Sequence, residues 1–241
     1  MWRRLGAIPL GTALLGLVVT GCANAAPRQT TATPGSPPAA VQGPAVSGPR
    51  GGLDAASLTL LSGAYQVVVR SAGLGSSLYR VTTATGLQPE VSRQGSAVTV
   101  RLVALPGQHA RTRIDVDLNQ DVRWTVRLNG GSTYLHVDLR GLDLASLALA
   151  AGAYRMDVAL GDPHGLVPVV VTGGATTLAV HVPSSASASL HVPGTVRSVN
   201  VDGSDHGSVT GATFDVGPGG GGGHYQIDCR AGLSALTLTR G

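Results

Sequence analysis

The sequence contains no lysine; all 17 of its basic residues are arginine. They are scattered, with no basic cluster and hardly any interleaved aromatics, so the electrostatic footprint of a nucleic-acid-binding protein is missing. The formal charge of +4 falls to +2 once Arg3 and Arg4 leave with the leader described below. Aromatics are scarce, with two Trp, five Tyr and one Phe, a poor stock for the platforms on which carbohydrate-active enzymes stack sugar rings. Gly-x-Ser-x-Gly is absent, and no glycine-rich phosphate loop precedes a helix.

Histidine is present but dispersed, at 109, 136, 164, 181, 191, 206 and 224, without the short spacings that bring metal ligands together. Solvated histidines at strand edges and turns are expected, and neither a metal nor another cofactor. His181 and His191, ten apart, are candidates to meet across neighbouring strands beside Asp202 or Asp205. Cysteine occurs twice, at 22 and 229, and once Cys22 is otherwise engaged no intramolecular disulfide is expected. Cys229 ends the alternating run Tyr225-Gln226-Ile227-Asp228-Cys229, which predicts a small, inert, inward-facing side chain.

One long apolar run exists, Leu5 to Thr20, and it is shorter than the ~20 residues of a membrane-spanning helix. Trp2-Arg3-Arg4 precedes it as a short basic region, and Val19-Thr20-Gly21-Cys22 closes it with small residues before a cysteine. This arrangement resembles the lipobox of bacterial lipoproteins. The resemblance implies a signal peptide over residues 1–21, cleaved before Cys22, whose sulfur carries a diacylglycerol. An ordinary secretory leader cut after Ala23 or Ala26 is the alternative. A lipid on Cys22 would hold the chain on the outer face of a bacterial cell membrane, and stable anchoring favours more than one acyl chain.

Residues 22–54 are mostly Pro, Ala, Gly, Ser, Thr and Gln, and read as a tether with too little apolar bulk to form a core. From residue 55 to 241 short alternating runs end in Gly, Asn-Gly or Pro-Gly, which is strand-and-turn patterning. Only Leu142 to Ala151 has a composition open to a helix. Turn glycines fall at 63, 86, 107, 130, 152, 173, 194, 211 and 232, mostly 21 to 23 residues apart. Related phrases recur there, among them Ser62-Gly63-Ala64-Tyr65, Gly130-Gly131-Ser132-Thr133, Ala151-Gly152-Ala153-Tyr154 and Gly173-Gly174-Ala175-Thr176. A period near 21 residues indicates an all-β single-stranded solenoid, expected as a three-sided parallel β-helix with three short strands per coil and glycines supplying positive φ at the corners. An antiparallel β-sandwich is the alternative, but it leaves the repeated phrases unexplained.

The stretch from about Leu58 to Gly241 also resembles the toast-rack β-solenoids, which include the C-terminal domain of LiaF-type envelope-stress proteins and a group described as surface adhesins. The resemblance is carried by Trp124 to Gly131, Leu139-Arg140-Gly141-Leu142, Leu147 to Ala153, Gly173-Gly174-Ala175 and Ala231-Gly232-Leu233-Ser234. It implies display of a solenoid for adhesion or stress sensing and brings no catalytic residues to transfer. The lipobox in place of several N-terminal membrane helices departs from LiaF-type proteins.

Chemistry-bearing constellations are few. Arg111, Arg113, Asp115 and Asp117 share one strand face and read as a solvent-facing ion-paired surface rather than as the acid pair of a glycosidase. Asp202-Gly203-Ser204-Asp205-His206-Gly207 lacks the ligand alternation of a calcium loop and reads as a polar turn. The expectation is therefore a non-enzymatic surface lipoprotein with no catalytic residues, whose partners are the membrane, cell-wall glycan or an envelope protein, and not nucleic acid. A β-helix enzyme acting on wall or extracellular polysaccharide is the alternative. The C-terminal run Leu236 to Gly241 is expected to leave an uncapped end through which copies associate weakly.

Overall fold

A computed structural model describes residues 44–106, 112–218 and 223–241. Val19, Thr20, Gly21 and Cys22 lie outside the described residues, as do most of the expected tether, His109 and Arg111. The described part contains strands and turns and no helix. Its local logic is alternation. In β8 (Arg123–Leu128) Trp124, Val126 and Leu128 are buried while Arg123, Thr125 and Arg127 are exposed, because successive side chains of a strand point to opposite faces.

The strands, numbered in chain order, stack into two ladders. The first runs β5 (Leu87–Gln94), β6 (Ala97–Ala104), β2 (Ala55–Leu60), β8, β10 (Asp143–Leu149), β12 (Leu166–Val171), β17 (His224–Cys229), the first half of β14 (Ser187–Val201) and β16 (Val209–Val216). The second runs β1 (Ala45–Pro49), β4 (Ser77–Thr83), β7 (Arg113–Asn119), β3 (Gln66–Ala72), β9 (Ser132–Leu139), β11 (Ala153–Leu160), β13 (Ala175–Val182), β18 (Leu233–Arg240), the second half of β14 and β15 (Ser204–Asp205). Every pairing from β6 to β14 in the first ladder and from β7 to β14 in the second is parallel, while β1, β4, β5, β15 and β16 add antiparallel strands at the ends. This is a β-solenoid, and parallel pairing rules out the sandwich.

Each coil, however, has two strands of about seven residues, not the three short ones expected. Leu142 to Ala151 shows why: it holds one strand, β10, which passes through an irregularity between Leu144 and Ser146 instead of turning, with Leu144, Leu147 and Leu149 all buried. Two strands of that length and two turns use up a 21-residue repeat, and the inner faces of the ladders then pack directly on each other. In the first ladder the inner row reads Val98, Leu58, Val126, Leu147, Val169 and in the second Ile114, Val67, Leu135, Met156, Leu178, Leu236, all 3% exposed or less.

The corner glycines also do something other than expected. Gly63, Gly130, Gly152, Gly173 and Gly232 do not have positive φ. They stand where one coil crosses the next: a Cβ on Gly63 would lie 1.7 Å from the Gly131 carbonyl oxygen, and one on Gly173 2.0 Å from that of Ala151. Ser132, Ala153 and Ala175 donate backbone hydrogen bonds to the carbonyls of Gly152, Gly174 and Gly232, which continue the column. Of the turn glycines, Gly86 and Gly211 do have the expected positive φ (97° and 62°), and positive φ also serves the Asp202-Gly203 turn (φ 49° and 82°), the two-residue hairpin joining β14 to β15.

Two boundaries move. Ala45–Pro49, which composition assigned to the tether, instead pairs along β4 through its main chain, a bond that low side-chain bulk does not advertise. The C-terminal strand is not an uncapped end, because β18 lies between β13 and β14. The outermost strands of the first ladder are β5, with Pro89, Glu90 and Arg93 along it, and β16.

Candidate functional site

The outer face of the second ladder carries a run of paired charges. On β7, Arg113 grips Asp115 with two bonds of 2.7 and 2.8 Å, while Arg70 of β3 donates to Asp117 at 2.6 Å and stands 3.9 Å from Asp115. The expected ion-paired surface is therefore present, but it does not face solvent: Asp115 and Asp117 are 4% and 7% exposed. The two arginine side chains supply the hydrogen bonds that make such burial tolerable. The same two-residue device recurs along the ladder as Asp138 with Arg140 and Arg155 with Asp157, since residues i and i+2 of a strand share a face. On the other ladder Arg230 pairs with Asp228 in the same way. Hydrogen bonding from Arg140, against the opposing effect of partial burial, holds the Asp138 carboxyl below its ordinary range.

A groove of about 860 Å³ opens at the strand ends of this ladder and crosses several coils. Small residues form its base: Ala159 follows Asp138 and precedes His181 in one lateral row, and Gly161 sits so close to the preceding coil that a Cβ would be 3.1 Å from the Gly141 nitrogen. The Tyr225 hydroxyl donates to the Gly161 carbonyl at 2.8 Å from inside the core and fixes that turn. Along the walls His181 Nδ1 meets the Thr239 hydroxyl at 2.6 Å, His164 Nδ1 lies 3.3 Å from Asp143, and Ser185 donates to Asp162 at 2.6 Å. Arg140 and Arg240, also lining it, are engaged by Asp138 and Asp202. The groove thus combines hydrogen-bonding groups whose charges are already matched with a lining that is largely apolar.

His136, His164 and His181, which sequence spacing left unconnected, all line this groove. The pairing of His181 with His191 does not form, because β13 places the first on the second ladder and β14 the second on the first. His191 instead stands 3.4 Å from Asp228 Oδ1, a buried oxygen that accepts no hydrogen bond. Asp202 joins Arg240, and Asp205 accepts the backbone N–H of Gly207. No cluster of three metal-ligating side chains occurs among the described residues. Cys229 is fully buried in the row of Val171 and Leu149, as its alternation predicted, and burial, helped by Asp228, pushes its thiol up to about 12. The sequence signal for the groove lies in the small residues Ala159 and Gly161, with Asp138 and His181 beside the first in adjacent coils.

No protein-family model matches the sequence, and no curated protein matches it. Among solved structures, one designated a "putative cell adhesion protein" from Clostridium sporogenes ATCC 15579 aligns with a TM-score of 0.62 at 13% identity, over 82% of this chain and 98% of its own. The two chains share a fold. A "putative adhesin" from Bacteroides fragilis NCTC 9343 aligns over 80% of this chain and 97% of its own at 6% identity, but its TM-score of 0.23 carries no argument. At such identities the likeness speaks to architecture alone.

Proposed function

We propose that this protein is a non-enzymatic, adhesin-like surface lipoprotein, anchored through Cys22, whose solenoid head engages an extended partner in the cell envelope. The observation that carries the reading is the groove, which runs across successive coils and so offers a linear, regularly repeating surface rather than a closed pocket. Rigidity supports it, because every strand lining the groove is paired on both sides within the solenoid. The shared architecture with a protein designated for cell adhesion agrees with it, as does the toast-rack resemblance. The lipobox supplies the anchor, and the composition of the tether supplies reach from the membrane.

The carboxylates of the second ladder favour binding over catalysis. Asp115, Asp117, Asp138 and Asp157 are each held by an arginine, whereas a glycosidase needs one carboxyl free to carry a proton and another to attack or activate water. The test has two arms. The native chain should partition with membranes and Cys22→Ser should not; equal partitioning removes the anchor. The full chain, incubated with separated wall-glycan and membrane-protein fractions, should be retained by one of them, and retention by neither removes the interaction reading.

A further inference from the structure

The seven aromatic side chains among the described residues divide into two groups. Tyr79, Trp124 and Tyr225 belong to the core, and Phe214 is half-buried with its ring centroid 4.6 Å from that of His206. The remaining three, Tyr65, Tyr134 and Tyr154, follow the corner glycines of three consecutive coils, those of β3, β9 and β11. Tyr65 and Tyr134 pack edge to face with centroids 5.5 Å apart, while Tyr134 is 39% exposed and Tyr154 59% exposed. The inward rows of β3, β9 and β11 themselves are built from Val, Leu and Met, so these three tyrosines are not part of them.

We infer that this strip is a subsite for a neutral glycan chain lying along the solenoid axis, an assignment that rests on the surface-interaction reading above. A tyrosine ring presents an apolar face for the C–H side of a pyranose and a hydroxyl at its rim. The tyrosines are staggered: along the axis Tyr134 has Gln66 and Arg155 as its direct neighbours, so Tyr65 and Tyr154 stand one residue nearer the corner and these hydrogen-bonding side chains lie between the rings. The charges beside the strip are matched internally, Arg155 to Asp157 at 2.9 Å and Arg113 to Asp115 at 2.7 Å, so a polyanion gains little from them. Coils repeat every ~4.8 Å, close to the advance of one sugar in an extended chain, so successive coils meet successive sugars.

The test uses the full chain in detergent micelles and N-acetylglucosamine hexamer as the probe, with purified wall glycan strands in parallel. Tyr134→Ala and Tyr154→Ala are each expected to weaken binding about tenfold, the scale of one lost aromatic contact. Tyr134→Phe is expected to retain it, because the ring face remains, and unchanged thermal unfolding of all three variants would separate binding from folding. Glycan binding that survives both alanine variants overturns the subsite and leaves the surface-interaction reading standing. Failure of the native chain to bind either glycan, with retention of a membrane protein, also overturns the subsite alone. Retention of nothing from the envelope overturns both.

Discussion

Gly130 approaches the neighbouring coil so closely that a Cβ added to it would lie 2.1 Å from the Ser62 carbonyl carbon. The clash is with backbone, which cannot swing away as a side chain can. Gly130→Ala is therefore expected to destabilise the protein by about 3 kcal/mol, at the upper end of overpacking penalties. Gly232 belongs to the same family of corners, but a Cβ there meets nothing within 4 Å and its φ is not positive. Gly232→Ala should be neutral or stabilise by about 0.5 kcal/mol through the unfolded chain. Denaturant unfolding of the two variants side by side checks the close-approach explanation, and equal effects would contradict it.

Arg113 satisfies both oxygens of Asp115, a carboxylate almost wholly removed from water. Arg113→Ala leaves that charge with Arg70 alone, 3.9 Å away, and is expected to cost about 3 kcal/mol. Arg155→Ala breaks a pair of the same spacing, but its arginine is 57% exposed, and a cost under about 1 kcal/mol is expected. The difference between the two midpoints in urea is the measurement. It should shrink if Asp115 is simultaneously replaced by Asn, because the orphaned charge is then gone.

How far the sequence carries can be judged from such residues. The alternation at Trp124 to Leu128 and the glycine period were enough to identify stacked coils, and Cys229 was correctly placed inside. Two strands per coil could not be told from three, since a run such as Leu142 to Ala151 records burial without recording where the chain turns. Nor does the pattern along one coil specify which coil it lies against. The stacking order places β6 and β7 outside β2 and β3, and β14 outside β17 and β18, and that order arises only from the completed packing. The groove and the tyrosine strip were hidden for the same reason. Their members lie far apart in sequence, 58 residues between His181 and Thr239 in the groove, and become neighbours only across the ladder.

The Asp138–Arg140 pair predicts a specific pH response. Its carboxyl titrates below the unfolded value of about 3.9, so the pair stabilises the fold fully above that value. The contribution is lost as pH falls through the lower, folded-state pKa. Arg140 is 71% exposed and Asp138 25%, which limits the effect to about 0.5 kcal/mol after solvent screening. Asp138→Asn should therefore unfold slightly earlier than the native chain at pH 7 and at pH 5, and the gap should close in more acidic solution. A gap that widens on acidification would mean that Asp138 acts by some other route.

The position of β18 sets the last expectation. Leu236 and Leu238 are buried, and the strand is hydrogen-bonded to β13 on one side and β14 on the other, so it fills the interior of the second ladder. Ending the chain at Gly232 would expose both neighbouring edges and remove three leucines, Leu233, Leu236 and Leu238, from the core. Each buried leucine is worth about 2–3 kcal/mol, which together approaches the whole stability of an ordinary domain. The truncated chain should lose its cooperative thermal transition and aggregate, whereas deletion of Gly241 alone should leave the transition within a few degrees. An expendable terminal coil would instead give a folded, soluble truncation. Circular dichroism with sedimentation on the same samples distinguishes these results, and a folded monomer ending at Gly232 would be incompatible with β18 as an inner strand.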